Sequence, residues 1–401
     1  MSKDPAENLY TMRHAQLAVA IQTSGLDVLA LNPGKSLTYL TGLHFHLSER
    51  PVLALFVPHT PPIVVLPELE ALKIESLDYP VQAFPYGEDP DTWGAVFHQA
   101  AQAAKVDGRR VGVEPRCMRV LELNLLEASA PQAEVLSGEE ILISLRVHKD
   151  ASEIASMRAA VDIAQRALQA TLSSIKAGVS ELQLASELTL QLLRHGSEPE
   201  IPFSPIVASG PNSANPHVTP SDRVLAQGDL LVIDWGATVN GYVSDLTRTF
   251  AIGEPEPELA RIAEIVAAAN AAGREVAAPG VPASEVDKAA RSVIEQAGYG
   301  KFFTHRTGHG LGLEGHEEPY IRADNDQPLE EGMTFTIEPG IYLPNRGGVR
   351  VEDDFIITSD SGESLSDRPR QLRVIEGPCY DHEHYSHRRA VLLSREFNRL
   401  F

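Results

Sequence analysis

The second half of the chain repeats itself at a fixed spacing, and this repeat restricts the fold more than any other feature. "KAGVSELQLASELTLQLLRHG" ends at Gly196 and "APGVPASEVDKAARSVIEQAG" ends at Gly298, 102 residues later. Gly178-Val179 matches Gly280-Val281 at the same offset. Each helical stretch is followed by a strand, "GDLLVIDWG" from Gly228 and "GMTFTIEPG" from Gly332, and here the offset of 104 aligns Asp234 with Glu338 and Gly236 with Gly340. Several positions holding register together argue against chance. A duplicated unit of helix, helix and strand hairpin predicts a pseudo-twofold domain with the two hairpins meeting at its centre.

The hairpins carry acids. In "LLVIDWGATVNGYVSDLTRTF" the dipeptide Asn240-Gly241 is a two-residue turn signal, so residue i pairs with residue 481 − i. Asp234 then lies opposite Thr247, and Asp245 is two residues from Thr247, so Asp234 and Asp245 are diagonal neighbours on one face. Leu230 to Ile233 read as a buried strand. Two close carboxylates in an apolar setting are unfavourable unless a cation or a proton compensates. In "TFTIEPGIYLPNRGGVRVEDDFII", Glu338 and Glu352 lie symmetrically about Asn345, and Arg350 points to the same face as Glu352. Surface hairpins with solvated acids would be the bland alternative, but the flanking "LLVI" and "TFTI" runs are those of buried strands. Two divalent ions would neutralise four carboxylates. Oxygen ligands favour Mn²⁺, Mg²⁺ or Ca²⁺, and an added imidazole shifts the preference to Mn²⁺, Zn²⁺ or Co²⁺.

That imidazole can come from "RTGHGLGLEGHEEP", Arg306 to Pro319. The stretch contains Gly310-x-Gly312-x-x-Gly315, the letters of a dinucleotide loop. Such a loop needs a strand before it and a helix after it, whereas "HEEPYI" does not open a helix. The nicotinamide-dependent oxidoreductase reading is therefore rejected. The glycines instead let the backbone run close under a metal centre and a substrate.

Before the duplication lies a different texture. The chain has 401 residues, enough for two domains. "LDVLAL", "PVLALFV", "IVVL" and "RRVGVE" read as buried strands, and "ENLYTMRHAQLAVAIQTSG" as a helix closed by Gly25, which predicts an α/β layered domain. His44 and His46 have no carboxylate cluster beside them and read as solvated. Near "LRVHKDASEIASMRAAV", Asp150 or Ser152 can cap a helix with Glu153 in its first turn and an apolar stripe through Met157, Val161 and Leu168. The boundary is set here, giving domains 1–148 and 149–401. The net charge of −21 argues against binding a nucleic-acid backbone. The cysteines, Cys117 and Cys379, make no metal framework. The opening "MSKDPAENLY" lacks the features of a secretory leader, and no apolar run is long enough to span a membrane, so a cytoplasmic location is expected.

"VIDWG", "SDLTRT", "RTGHGLGLEGHEEP", "TIEPGIY" and "GGVRVEDD", in this order, resemble the pita-bread metallopeptidases, a family that includes methionine aminopeptidase, Xaa-Pro aminopeptidase, prolidase and creatinase. "LNPGKSLTYLTGL" and "LRVHKDASEI" resemble the creatinase-type N-terminal domain, which favours the proline-directed branch. The resemblance implies an α/β N-terminal domain followed by an α+β pita-bread domain. It implies Asp234, Asp245, His309, Glu338 and Glu352 as ligands of two divalent ions, Mn²⁺ first, with Zn²⁺ or Co²⁺ possible. It makes Glu338 the general base, and His217 and His316 the histidines that face the substrate and stabilise the tetrahedral intermediate or the leaving nitrogen. A homodimer is also implied.

The activity turns on what meets the prolyl carboxylate. A dipeptidase needs a cation there, and an aminopeptidase needs an open channel. Arg350 is one candidate clamp. The tail beyond Ile357 adds Arg370 and Arg373, with Tyr380 and Tyr385, and a tail folded over the cleft would place Arg370 and Tyr385 on the substrate. If Arg370 only packs the tail, Arg350 inherits the role. The reading is an Xaa-Pro dipeptidase, with an Xaa-Pro aminopeptidase as the alternative and an inactive pita-bread binding protein as a third class.

Overall fold

A computed structural model of the chain describes residues 9–375. The N-terminal part runs α1 (Leu9–Ser24), β1 (Val28–Leu31), α2 (Lys35–Thr41), β2 (Leu53–Phe56), β3 (Ile63–Pro67), α3 (Ala71–Glu75), β4 (Gln82–Tyr86), α4 (Trp93–Ala103), β5 (Arg110–Val113), α5 (Val120–Ser129), β6 (Glu134–Ser137) and α6 (Glu139–Arg146). Its strands form one mixed sheet in the order β4-β3-β2-β1-β5-β6. Successive residues of a strand face opposite sides. Leu29, Leu31, Ala54 and Phe56 pack on α1, α2 and α6, while Val28, Ala30, Leu53 and Leu55 pack on α4 and α5. The sheet is thus covered on both faces, which is why its central strands read as unbroken apolar runs. The sequence did not announce β4 and β6. Both are edge strands whose residues are exposed or half-buried apart from Tyr86, and β4 contains Pro85.

The duplication is visible in the backbone. α7 (Ala151–Thr171) begins in a capping box, with the Asp150 side chain accepting from the Glu153 amide and the Glu153 side chain accepting from the Asp150 amide. α8 (Glu181–Arg194) follows, then β7 (Ile206–Ser209), β8 (Leu230–Trp235), β9 (Thr238–Val239), β10 (Tyr242–Val243) and β11 (Leu246–Ile252). The second copy is α9 (Pro257–Val276), α10 (Ala283–Gln296), β12 (Gly308–Gly310), β13 (Glu317–Ile321), β14 (Thr334–Ile337), β15 (Gly340–Leu343), β16 (Gly347–Arg350) and β17 (Asp353–Ile357), with β18 (Gly362–Ser364) and β19 (Arg373–Ile375) after it. α8 and α10 start and stop at the predicted offset. Gly178 and Gly280 both have positive φ, and their amides donate to Leu225 and Leu329 respectively.

Both hairpins keep the predicted registers. Thr247 pairs with Asp234 and Tyr242 with Val239, around a turn in which Asn240 and Gly241 both have positive φ. Gly340 pairs with Arg350 and Ile337 with Asp353, around Asn345. Each hairpin splits into two ladders near its acids. At the first split a Cβ on Gly236 would lie 2.0 Å from the Ser244 carbonyl oxygen, so only glycine fits there. The halves join where Thr247 bridges Glu352, the Glu352 amide donating to the Thr247 carbonyl at 3.1 Å. α7 and α8 cover Leu231, Ile233 and Trp235 on one side, and α9 packs on Leu230, Ala251 and Ile341. Among the described residues no helix is long and apolar enough to cross a membrane.

Candidate metal centre

Where the hairpins meet, a cavity of about 680 Å³ opens, with Asp234, Asp245, His309, Glu338 and Glu352 in its wall. β8 delivers Asp234, the turn into β11 delivers Asp245, β12 delivers His309, and Glu338 and Glu352 stand at the split of the second hairpin. Asp245, His309 and Glu352 each offer a ligand atom within 4.8 Å of the others. His309 Nε2 lies 3.2 Å from Glu338 Oε1 and 3.8 Å from Asp245 Oδ2. The other ring nitrogen, Nδ1, faces the Gly310 carbonyl at 3.1 Å. A carbonyl only accepts, so it holds a proton on Nδ1 and aims Nε2 at the acids.

The acids are incompletely satisfied. Asp234 Oδ2 accepts from Arg350 Nη2 at 2.6 Å, and Glu352 Oε2 accepts from the Thr247 hydroxyl at 2.6 Å. Asp234 Oδ1 and Asp245 Oδ1 are buried without a hydrogen-bond partner. Burial, together with the neighbouring carboxylates, pushes Asp245 and Glu352 well above the usual carboxylate range. Burial also raises Asp234, with Arg350 opposing. Glu338 goes the other way: burial would raise it, but its hydrogen bond and charge interaction with His309 bring it down to about 2. Crowded acids with orphaned buried oxygens and an aimed imidazole fit divalent cations, because positive charge would satisfy the lone pairs and remove the repulsion together.

His217 is exposed at the mouth of this cavity, and its amide donates to Asn215 Oδ1 at 3.2 Å. His316 meets His309 edge-on with ring centroids 3.9 Å apart, and burial, then the charges of His309 and Arg306, lower its pKa to about 4. Arg350 lines the cavity, but its guanidinium is committed: Nη2 to Asp234, Nε to Thr247 Oγ1 at 3.0 Å and Nη1 to the Tyr342 hydroxyl at 3.1 Å.

One expected site residue needs correction. Arg370 does not reach the cleft. Its Nε donates to Asp353 Oδ2 at 2.6 Å and its Nη2 donates to Ser364 and Ser366. Asp353 follows Glu352, so strand alternation turns it to the opposite face, and Arg370 goes with it. Tyr385 lies outside the described residues, as does Tyr380. His44 and His46 are exposed.

The sequence reading missed other wall residues: His305, Arg306, Phe203 and Ile206. The spacing His305-x-x-x-His309 was a signal for the first. His305 Nε2 lies 2.9 Å from the Tyr342 hydroxyl. Phe203 comes just before β7 and Ile206 opens it, in a short stretch where no periodicity marks them.

Together the fold and its acidic centre define a two-domain metallopeptidase. The model of metallopeptidase family M24 matches residues 155–359, and that of the creatinase/prolidase N-terminal domain matches residues 13–148. The chain belongs to family M24, in the branch that carries the creatinase-type N-terminal domain. It is 34% identical over 358 residues to an Xaa-Pro dipeptidase of Lactobacillus delbrueckii subsp. lactis, covering 88% of this chain and 96% of that protein. The crystal structure of recombinant prolidase from Thermococcus sibiricus superposes with a TM-score of 0.87 at 32% identity, covering 94% of this chain and all of that one. An X-Pro aminopeptidase from Thermotoga maritima superposes with a TM-score of 0.79 at 30% identity, covering 90% and 99%.

Proposed function

We propose that this chain is an Xaa-Pro dipeptidase that hydrolyses the bond before a C-terminal proline. The observation that carries the reading is the buried cluster of four carboxylates and His309 with two orphaned carboxylate oxygens, in a chain similar over most of its length to Xaa-Pro dipeptidases. Asp234, Asp245, His309, Glu338 and Glu352 would hold two divalent ions, with Mn²⁺ favoured by four oxygen donors and a single nitrogen donor. When bound, such ions supply Lewis acidity toward the scissile carbonyl and lower the pKa of water.

The remaining work falls to side chains. Glu338 is the ionised carboxylate that takes the proton of the attacking water and returns it to the prolyl nitrogen. That nitrogen leaves as a secondary amine and must be protonated. His316 is neutral at neutral pH, so it can donate one N–H to the oxygen that develops charge. His217, at the mouth, reaches the substrate from the solvent side. Proline has no N–H and a fixed φ, so a ladder-like docking is closed to it, and shape must replace hydrogen bonds. Phe203 and Ile206 supply an apolar wall for that purpose. We further propose a domain boundary at residue 148, a homodimer and a cytoplasmic location.

The test is the rate on Ala-Pro against Ala-Pro-Ala, using metal-stripped protein reconstituted with Mn²⁺ and with Zn²⁺. Preference for Ala-Pro is expected. The likeness to the X-Pro aminopeptidase keeps that activity as the second reading, and faster cleavage of Ala-Pro-Ala would establish it.

A further inference from the structure

His217 stands at the mouth of the cavity, yet among the described residues nothing hydrogen-bonds its ring. The place of the ring is therefore set by the backbone that carries it. That backbone runs from Ser209, the last residue of β7, through a single 3₁₀ turn at Gly210–Ala214 and on to Ser221. A loop places a side chain only as well as its own ends are fixed. Both ends of this one close on the same carboxylate. Glu181, in the first turn of α8, is fully buried. Its Oε1 accepts from the Ser209 amide and the Ser209 hydroxyl, both at 2.7 Å. Its Oε2 accepts from the Ser221 amide at 3.1 Å and the Ser221 hydroxyl at 2.6 Å. Asn212 Nδ2 donates to both oxygens, at 3.1 and 3.0 Å. A buried carboxylate needs several hydrogen bonds, and all of these donors come from the segment that carries His217.

The duplicated half uses a similar device. Asp287, on α10, is fully buried and pairs with Arg291 at 2.9 Å. It accepts from the Thr307 amide at 3.1 Å, two residues before His309, and Arg291 Nη2 donates to the His305 carbonyl at 2.9 Å. In each copy an acid on the second helix holds the backbone that leads a histidine to the cavity. The middle of the His217 segment has lighter support. Ser213 Oγ accepts from the Gly348 amide at 2.8 Å, and the Pro216 carbonyl accepts from Arg350 Nη1 at 3.4 Å. The first is a neutral pair and the second is long, whereas hydrogen bonds to a carboxylate are about twice as strong as neutral ones.

We propose that Glu181 is a positioning residue for the reaction: by tying both ends of the Ser209–Ser221 segment, it fixes where His217 stands over the acidic centre. The proposal rests on the dipeptidase reading above and on the place that reading gives His217. Glu181 lies outside the cavity wall, and its side-chain hydrogen bonds go to none of the five residues of the acidic centre. Its effect therefore reaches the substrate through the histidine. Glu181→Gln keeps the size of the side chain, but the NH₂ that replaces one oxygen faces donors on Ser209 or Ser221 and releases that end of the segment.

The test is a double-mutant cycle on the Mn²⁺-loaded enzyme with Ala-Pro: wild type, Glu181→Gln, His217→Ala and the pair, each with its manganese content and melting temperature measured. Glu181→Gln is expected to lose about tenfold to a hundredfold in kcat/KM with its manganese content unchanged. His217→Ala should lose at least as much. The pair should be no slower than His217→Ala alone, because the tether then has no histidine to place. Ser221→Ala removes one donor and leaves the carboxylate, so it should lose in the same direction by a smaller factor. Its own cycle with His217→Ala decides the matter if Glu181→Gln does not fold. Losses that multiply in the pair, manganese lost in step with activity, or a folded Glu181→Gln enzyme as fast as wild type would each overturn the assignment. Failure of the underlying readings looks different. A His217→Ala enzyme as fast as wild type removes the role of the histidine, and the proposal falls with it. A wild type that cleaves Ala-Pro-Ala but not Ala-Pro overturns the dipeptidase reading, and the same cycle read on Ala-Pro-Ala then decides for Glu181.

Discussion

Asp245 shows how much one side chain can reveal. Its Oδ1 is buried without a partner, and burial and four neighbouring acids raise its proton affinity. Removing the charge while keeping the shape separates the two roles of the residue. Asp245→Asn is expected to lose all detectable Xaa-Pro hydrolysis and part of its bound metal. The metal-free Asp245→Asn protein should melt a few degrees above the metal-free wild type at pH 8, because one of the crowded charges is gone. Scanning calorimetry on chelated samples checks the second point. A variant that melts lower when metal-free, yet retains full activity when loaded, would contradict a metal role for this cluster.

At the scale of elements, the strand split and the linker each hold the centre in place. Gly236→Ala drives a Cβ into the Ser244 carbonyl where the first hairpin divides. It should cost about 2–3 kcal/mol or more in urea unfolding and weaken metal retention, since Asp234 and Asp245 flank that point. The linker acts through Glu317, the residue after His316. The Lys149 ammonium donates to Glu317 Oε1 at 2.7 Å, and Arg146 donates to its other oxygen. All three are buried or nearly so. Burial would raise the Glu317 pKa, but Lys149 and Arg146 outweigh it and hold the carboxyl below its ordinary range. A depressed folded pKa means stability that is present above the unfolded value of about 4.3 and lost as pH falls through the folded value. Glu317→Gln leaves the buried Lys149 ammonium without its acid and Arg146 with Glu314 alone, and should destabilise the protein by about 3–5 kcal/mol at pH 7. The gap to wild type should narrow below about pH 4, which denaturant titrations at several pH values would show.

For the whole molecule, metal binding and folding are one equilibrium. In the metal-free chain, Asp245 and Glu352 have raised pKa values, so their stabilising protonated forms are fully present below the unfolded values and are lost as pH rises through the folded ones. The metal-free protein should therefore become less stable from about pH 5 to pH 8 on account of these groups. Divalent ions should reverse this, because ligands bind metal only when deprotonated. At a hundred times its Kd, each site adds about 2.7 kcal/mol. Melting curves with and without Mn²⁺ should diverge as pH rises, and parallel curves would count against a metal centre.

Much of this molecule was fixed by short-range rules that sequence carries openly. Turn chemistry at Asn240-Gly241 set one register, symmetry about Asn345 set the other, and the equal spacing of Gly178 and Gly280 fixed the duplicated helices. These act over a few residues, or repeat a pattern, so no knowledge of distant contacts is needed. Strand alternation also brought the four acids to one face. Only the tertiary structure decided which arginine meets which carboxylate. Arg350 went to Asp234, Arg370 followed Asp353 to the far side of the sheet, and Arg306 settled on a tyrosine fourteen positions away. It likewise decided that β19 would lie parallel to β11 along an edge. A long cationic side chain has many partners within reach, and the winner is set by which acid is buried, which face it occupies and what else has already claimed it.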